Sequence, residues 1–143
     1  GFFHSLRHTI KRSRARSGWL HAHRLGMLEV STPEPLAYIE KRKGFLVWKS
    51  YLVTRYVEGQ RLYDFLRDDN VTQQQRSTTE QQVQNMLTKL QEHRITHGDL
   101  KHSNILVTKN GPVLIDLDGM KVHKFRKVYQ NRQTKDLERF ANG

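Results

Sequence analysis

Between residues 72 and 118 the chain changes character three times, and no other stretch restricts the fold as tightly. Thr72 opens a segment in which Val83, Met86, Leu87 and Leu90 fall at i, i+3, i+4 and i+7. That spacing predicts a helix with one apolar face turned to a core. The run His97-Gly98-Asp99-Leu100-Lys101-His102-Ser103-Asn104 then breaks the pattern with polar groups. Two short apolar runs follow, Ile105-Leu106-Val107 and Val113-Leu114-Ile115, around Lys109-Asn110-Gly111. The Asn-Gly pair is turn chemistry, so a second small hairpin is predicted there. It ends in Leu114-Ile115-Asp116-Leu117-Asp118. A polar loop gripped by apolar elements is how a rigid scaffold presents reactive groups.

The rest of the chain reads as strands and helices in blocks. Helical potential runs from about His4 to Leu28, with Gly18 and Gly26 as interruptions and Trp19 as a core residue. Ser31-Thr32-Pro33-Glu34-Pro35 is a break, because proline removes a donor and restrains its predecessor. Leu36 to Ile39 predicts a short strand, Lys41 to Gly44 a turn, and Ser50 to Val57 a second, antiparallel strand. Glu58-Gly59 ends it, and Leu62, Phe65 and Leu66 predict a short helix. Strands, then helices, then a hairpin make an α+β pattern. With 143 residues the chain is read as one domain.

Composition removes several functions. There is no cysteine, so disulfides, thiolate metal sites and cysteine nucleophiles are excluded, and a reducing compartment is the expectation. No run of about 18 apolar residues exists to span a bilayer. Residues 1–16 are basic and polar and lack the apolar stretch of a secretory signal. The net charge of +11 is polarised: residues 1–60 carry +7, 61–100 carry −1 and 101–143 carry +5. Such a field attracts polyanions: nucleic acid, an anionic membrane surface or phosphorylated glycans. From Lys121 to Lys135 there are six Lys or Arg and no acid, read as a basic loop that is either solvated or a guide for an anionic sugar or a contact with an anionic membrane surface.

The polar loop matches the needs of phosphoryl transfer. An acceptor hydroxyl must be oriented and relieved of its proton, which a carboxylate can do. Magnesium needs hard oxygen ligands, commonly a carboxylate with an amide oxygen. A cation should steady the transferring group. Asp99, Asn104, Asp116 and Lys101 supply these functions, with five residues from Asp99 to Asn104 and Asp116 closing the hairpin. His97 and His102 read as structural. Asp118 stands open between a metal contact and a surface carboxylate.

His97 to Asn104 resembles the protein-kinase pattern H-x-D-x-K-x-x-N, with Gly98 in place of the usual Arg, and residues 114–118 resemble its D-F-G segment, with Asp118 at the glycine. Further pieces resemble the lipopolysaccharide core kinases that phosphorylate Kdo or heptose: residues 13–19, 22–25, 31–37, 50–53 and 135–140. That resemblance implies a protein-kinase-like fold with an incomplete N-terminal lobe over 1–57. Residues 58–143 would form the hinge region, catalytic loop and start of the helical lobe. It implies Asp99 as catalytic base, Lys101 on the γ-phosphate, Asn104 and Asp116 as magnesium ligands, and His97 as a brace. It further implies adenine on the backbone of Arg55-Tyr56-Val57, with Arg55 and Val57 the cofactor-binding residues and Thr54 behind them. The implied cofactors are ATP and Mg2+. The implied partner is a lipid A-linked core sugar, with peripheral contact to an anionic inner membrane, a cytoplasmic location and no nucleic acid.

The sequence also departs from the kinase pattern. No glycine-rich loop or strand lysine occurs, and Gly18 stands where a helix glutamate is expected. The chain therefore reads as a fragment or a degenerate copy of a larger domain. Two rivals stay open: a kinase-like phosphotransferase for a protein or aminoglycoside, and a non-catalytic, basic polyanion-binding module.

Overall fold

The structure is a computed structural model that describes residues 13–143. The part of the first expected helix before Ser13 lies outside the described residues. Helix α1 spans Arg14–Met27. Ser13 caps it by accepting from the Arg16 N–H at 3.2 Å, and donates its own hydroxyl to Glu40 at 2.5 Å. Ala15, Gly18, His21, Ala22 and Leu25 form the buried face. Gly18 does not interrupt the helix. A Cβ there would stand 2.9 Å from Leu52 Cδ2, so the glycine lets the sheet approach closely. Trp19 is half-buried, not a core residue: its ring lies against Tyr38 and His23.

Strands β1 (Pro35–Lys43) and β2 (Leu46–Thr54) pair antiparallel, with Ile39 opposite Tyr51 and Lys43 opposite Leu46. The pair was expected, but both strands differ in extent. β1 runs through the charged Lys41-Arg42-Lys43, and the turn is at Gly44-Phe45. β2 starts four residues before the expected Ser50 and stops before Arg55. A hairpin projecting into water tolerates charge at its end, so polarity there does not mark the turn. Gly44, at φ +57°, does mark it.

Residues 55–59 run without regular structure into β3 (Gln60–Arg61) and the short helix α2 (Leu62–Phe65). Gly59 passes so close to the hairpin that a Cβ would meet the Val107 carbonyl at 2.8 Å. Helix α3, Gln73–Glu92, starts at a capping box in which Thr72 and Gln75 satisfy each other's backbone N–H. Its stripe of Val83, Met86, Leu87 and Leu90 is buried as expected. β4 (Ile95–Thr96) leads to the polar loop and a 3-10 turn at His102–Asn104. The predicted second hairpin is β5 (Ile105–Thr108) with β6 (Gly111–Leu114), and it joins β3 in a three-stranded sheet. A second 3-10 turn covers Leu117–Gly119, then β7 (Lys121–Val122) pairs with β4.

The expected basic loop after Lys121 is mostly helix: α4 spans Arg126–Ala141. It was hidden because only Tyr129 and Asp136 are buried along it. One core joins these parts. Leu25 of α1, Leu62 of α2, Ile105 of β5 and Leu114 of β6 are fully buried together with the α3 stripe. The architecture is α+β. A helix-backed hairpin leads through an extended connection into a lobe of helices and short sheets, with the polar loop against the core.

Candidate active site

Leu100 and Ile105, both buried, pin the loop against the core at two points. Asp99, Lys101 and Asn104 converge there. The Lys101 Nζ lies 2.8 Å from Asp99 Oδ2. Asn104 is buried, and its Nδ2 donates to the Asp99 carbonyl at 2.9 Å and to its carboxylate at 3.2 Å. The ammonium of Lys101 is the main reason the Asp99 carboxyl is held below the usual carboxylate range; partial burial opposes it, and Asn104 adds to it. Asp99 is therefore ionised throughout the neutral range.

Asp116 follows the hairpin, whose end is fastened to this loop. The Ile115 N–H donates to the Asn104 carbonyl at 3.0 Å, which ties the end of β6 to the loop. The next residue, Asp116, takes the left-handed backbone, φ 59° and ψ 63°. Non-glycine residues seldom adopt it, and such strain gathers at functional sites. The Asp116 side chain is exposed, with no hydrogen bond or ion pair among the described residues. Asp118 points another way, 4.0 Å from Arg14 of α1, in an exposed pair.

The loop's shape is set from behind. His97 is 1% exposed, and its Nε2–H donates to the Ile115 carbonyl at 2.9 Å. A carbonyl only accepts, so the partner fixes the tautomer. Gly98, at φ +88°, has its Cα against Gly119, where a Cβ would meet the Gly119 carbonyl at 2.5 Å. Only glycine fits, which accounts for Gly98 where the kinase pattern has a larger residue.

Two residues of α4 that the motif reading left without a role complete this frame. Asp136 is buried and accepts from the His97 N–H at 2.7 Å and the Gly98 N–H at 3.1 Å. Arg139 donates to the Gly98 carbonyl at 2.7 Å. The sequence held one signal for this pair: Asp136 is the first acid after Asp118, on an otherwise basic segment.

Arg55 and Val57 stand apart from this cluster, on the extended connection between β2 and β3. The Arg55 guanidinium pairs with Glu34 at 2.5 Å, and its backbone N–H donates to the Glu34 carbonyl at 2.8 Å. The Val57 N–H has no hydrogen-bond partner among the described residues. Thr54 is exposed at the end of β2.

The donor set can be tested against magnesium. Among the described residues no group of three or more His, Asp or Glu side chains gathers to hold a metal unaided. Magnesium does not require one, since it keeps waters and uses one or two carboxylates beside substrate phosphates. The unpartnered Asp116 carboxylate and the Asn104 Oδ1, whose amide nitrogen alone is engaged, are hard oxygen donors of that kind. These residues fit the ion.

Mouse (Mus musculus) Aurora kinase C is similar to this chain, 36% identical over 74 residues, which covers 51% of the chain and 27% of that protein. The chain thus spans little more than a quarter of that relative's length. The profile of the lipopolysaccharide kinase (Kdo/WaaP) family matches residues 1–142. With the profile aligned over nearly every residue, the chain belongs to the lipopolysaccharide kinase (Kdo/WaaP) family.

Proposed function

We propose that this chain carries the transfer centre of an ATP- and magnesium-dependent kinase that phosphorylates a sugar hydroxyl of the lipopolysaccharide core. The observation that carries the reading is the cluster of Asp99, Lys101 and Asn104, tied through Ile115 to the left-handed Asp116. Asp99 accepts a hydrogen bond from the acceptor hydroxyl and orients its oxygen in line with the γ-phosphorus. An ionised carboxylate with a lowered pKa is a weak base, so its work is orientation until the hydroxyl turns acidic. As the new O–P bond forms and the bond to the β-phosphate oxygen breaks, the proton passes to Asp99 and ADP leaves. Such a transition state is loose, so positioning and charge do most of the work. Lys101 both holds Asp99 and offers positive charge to the γ-phosphoryl oxygens.

Asn104 and Asp116 would hold Mg2+, which when bound neutralises charge on the phosphates. The free Val57 N–H and the Arg55 carbonyl would bind the adenine edge. His97, Asp136 and Arg139 keep the loop in shape and touch no substrate. In this reading residues 1–57 belong to the small lobe and 58–143 to the hinge and large lobe.

The acceptor is lipid-linked, which calls for peripheral contact at the cytoplasmic face of the inner membrane. No helix among the described residues is long and apolar enough to cross a membrane. The β1–β2 hairpin supports surface contact instead. Phe45 at its turn is 94% exposed and Trp48 is 61% exposed, among Lys41, Arg42, Lys43 and Lys49. Exposed aromatics ringed by cations suit an anionic lipid interface.

The test is phosphate transfer from Mg-ATP to lipid A–core acceptors by the full-length protein and its Asp99→Ala variant. The expected result is transfer by the first and a loss of roughly 10²- to 10⁴-fold in the second. Equal transfer by both would overturn the assignment of Asp99. Neither transfer nor nucleotide binding by the full-length protein would leave a basic binding module.

A further inference from the structure

The His97 ring is buried, and the proposed transfer uses neither of its nitrogens. Its Nε2–H donates to the Ile115 carbonyl, so Nδ1 carries a bare lone pair. Nδ1 is itself enclosed and has no hydrogen-bond partner among the described residues. Buried acceptors in folded proteins are almost always paired, because an unpaired one loses its hydration and gains nothing in exchange. A donor for Nδ1 therefore has to come from a neighbouring space. Such a space lies between α3 and α4. His97 forms part of its wall, with Leu90 and Gln91 of α3 and Gln133, Asp136 and Leu137 of α4. The cavity measures about 20 Å³. A water needs about 10–15 Å³ of such space and about two to four polar partners, so there is room for one molecule and for no larger ligand. The polar partners are at hand. Asp136 is buried, and its oxygens, engaged by the N–H groups of His97 and Gly98, keep further lone pairs. The Gln91 and Gln133 carboxamides make no hydrogen bond among the described residues. Gln133 precedes Asp136 by three positions, so the two are neighbours on one face of α4.

We propose that this cavity is a hydration site, in which one ordered water donates to His97 Nδ1 and to the Asp136 carboxylate and accepts from the Gln133 amide. About three partners is the usual number for a buried water. The water holds the edge of the imidazole that Ile115 leaves free. With both nitrogens held, the ring cannot turn, and the Ile115 carbonyl stays fastened to it. That carbonyl belongs to the residue before Asp116, so the water supports the backbone of the candidate metal ligand from behind. It also gives α4 a second hold on the loop, beside the direct bonds of Asp136. The site belongs to the frame of the loop, and it does not depend on the nucleotide or the acceptor proposed above.

The experiment is a crystal structure of the full-length protein at a resolution that shows ordered solvent, paired with NMR of a histidine-labelled sample. The expected result is a solvent peak about 2.7–3.2 Å from His97 Nδ1. In solution, the His97 ring proton beside Nδ1 should show a cross-peak to water with the sign of a long-lived bound molecule. The variant His97→Gln can still donate its amide to the Ile115 carbonyl, but it lacks the Nδ1 acceptor. It should lose the solvent peak while its circular dichroism spectrum stays unchanged. Three results would overturn the site: no solvent peak and no cross-peak in wild type, a Gln91 or Gln133 amide bonded directly to Nδ1, or a solvent peak that stays in place in His97→Gln. If the variant does not fold, the wild-type density and cross-peak decide by themselves. Loss of phosphate transfer bears on the kinase reading and leaves these readouts untouched.

Discussion

Asp99 and Lys101 are two residues apart in sequence and joined by a 2.8 Å ion pair. Lys101 lowers the Asp99 pKa, so the carboxylate persists to more acidic pH than an ordinary aspartate near 3.9. The sign for stability follows. A depressed acid contributes to folding above its unfolded pKa, and the contribution fades as pH falls through the lower folded value. The pair is half exposed, so solvent screens it and its contribution to stability is small. For the reaction, the acid limb of kcat/KM should lie below the ordinary aspartate range in wild type. In Lys101→Met that limb should move to higher pH, as the main cause of the lowered pKa is gone. A pH profile of both proteins checks this; an unmoved limb would show that Lys101 does not set the ionisation of Asp99. That these two residues share one short loop was legible in sequence from their spacing. Asp136 and Arg139 were not, because their partners lie 38 to 41 residues away.

At the scale of elements, helices with a clear apolar stripe or a cap were readable, and α3 had both. Thr72 accepts from the Gln75 N–H at 3.2 Å, and Gln75 accepts from the Thr72 N–H at 2.8 Å. Thr72→Ala should cost about 0.5–2 kcal/mol in urea unfolding, and Thr72→Ser should restore most of it. If the alanine variant is as stable as wild type, the box contributes nothing to the fold. α4 shows the opposite case. Its sequence is basic and poor in apolar residues, and it is held by the buried Tyr129 and Asp136. The hairpin boundaries failed for a related reason. Alternation reports which face is buried, and the exposed outer end of this hairpin, residues 41–46, carries little of that signal.

At the scale of the molecule, Asp136 links α4 to the loop that presents Asp99. Asp136→Asn keeps the shape but removes the charge and one acceptor oxygen. Hydrogen bonds to charged groups contribute about 1.5–3 kcal/mol, so the variant should lose stability of that order. Amide exchange at His97 and Gly98 should accelerate more than exchange along the α3 stripe. Uniform acceleration would mean that Asp136 supports the whole core and not the loop in particular. One carboxylate thus fastens α4 to the backbone of Gly98.

The sequence by itself determined the α+β class, the helix–loop–hairpin order around residues 72–118 and the identity of the polar loop. Those properties depend on local periodicity, turn chemistry and spacing, all of which are written along the chain. Only the tertiary structure decided that α4 exists over Arg126–Ala141 and that Asp136 holds the loop. It alone set Gly18 against the Leu52 side chain and Gly98 against the Gly119 backbone. Each of those depends on what a residue meets across space, and sequence spacing does not encode that partner.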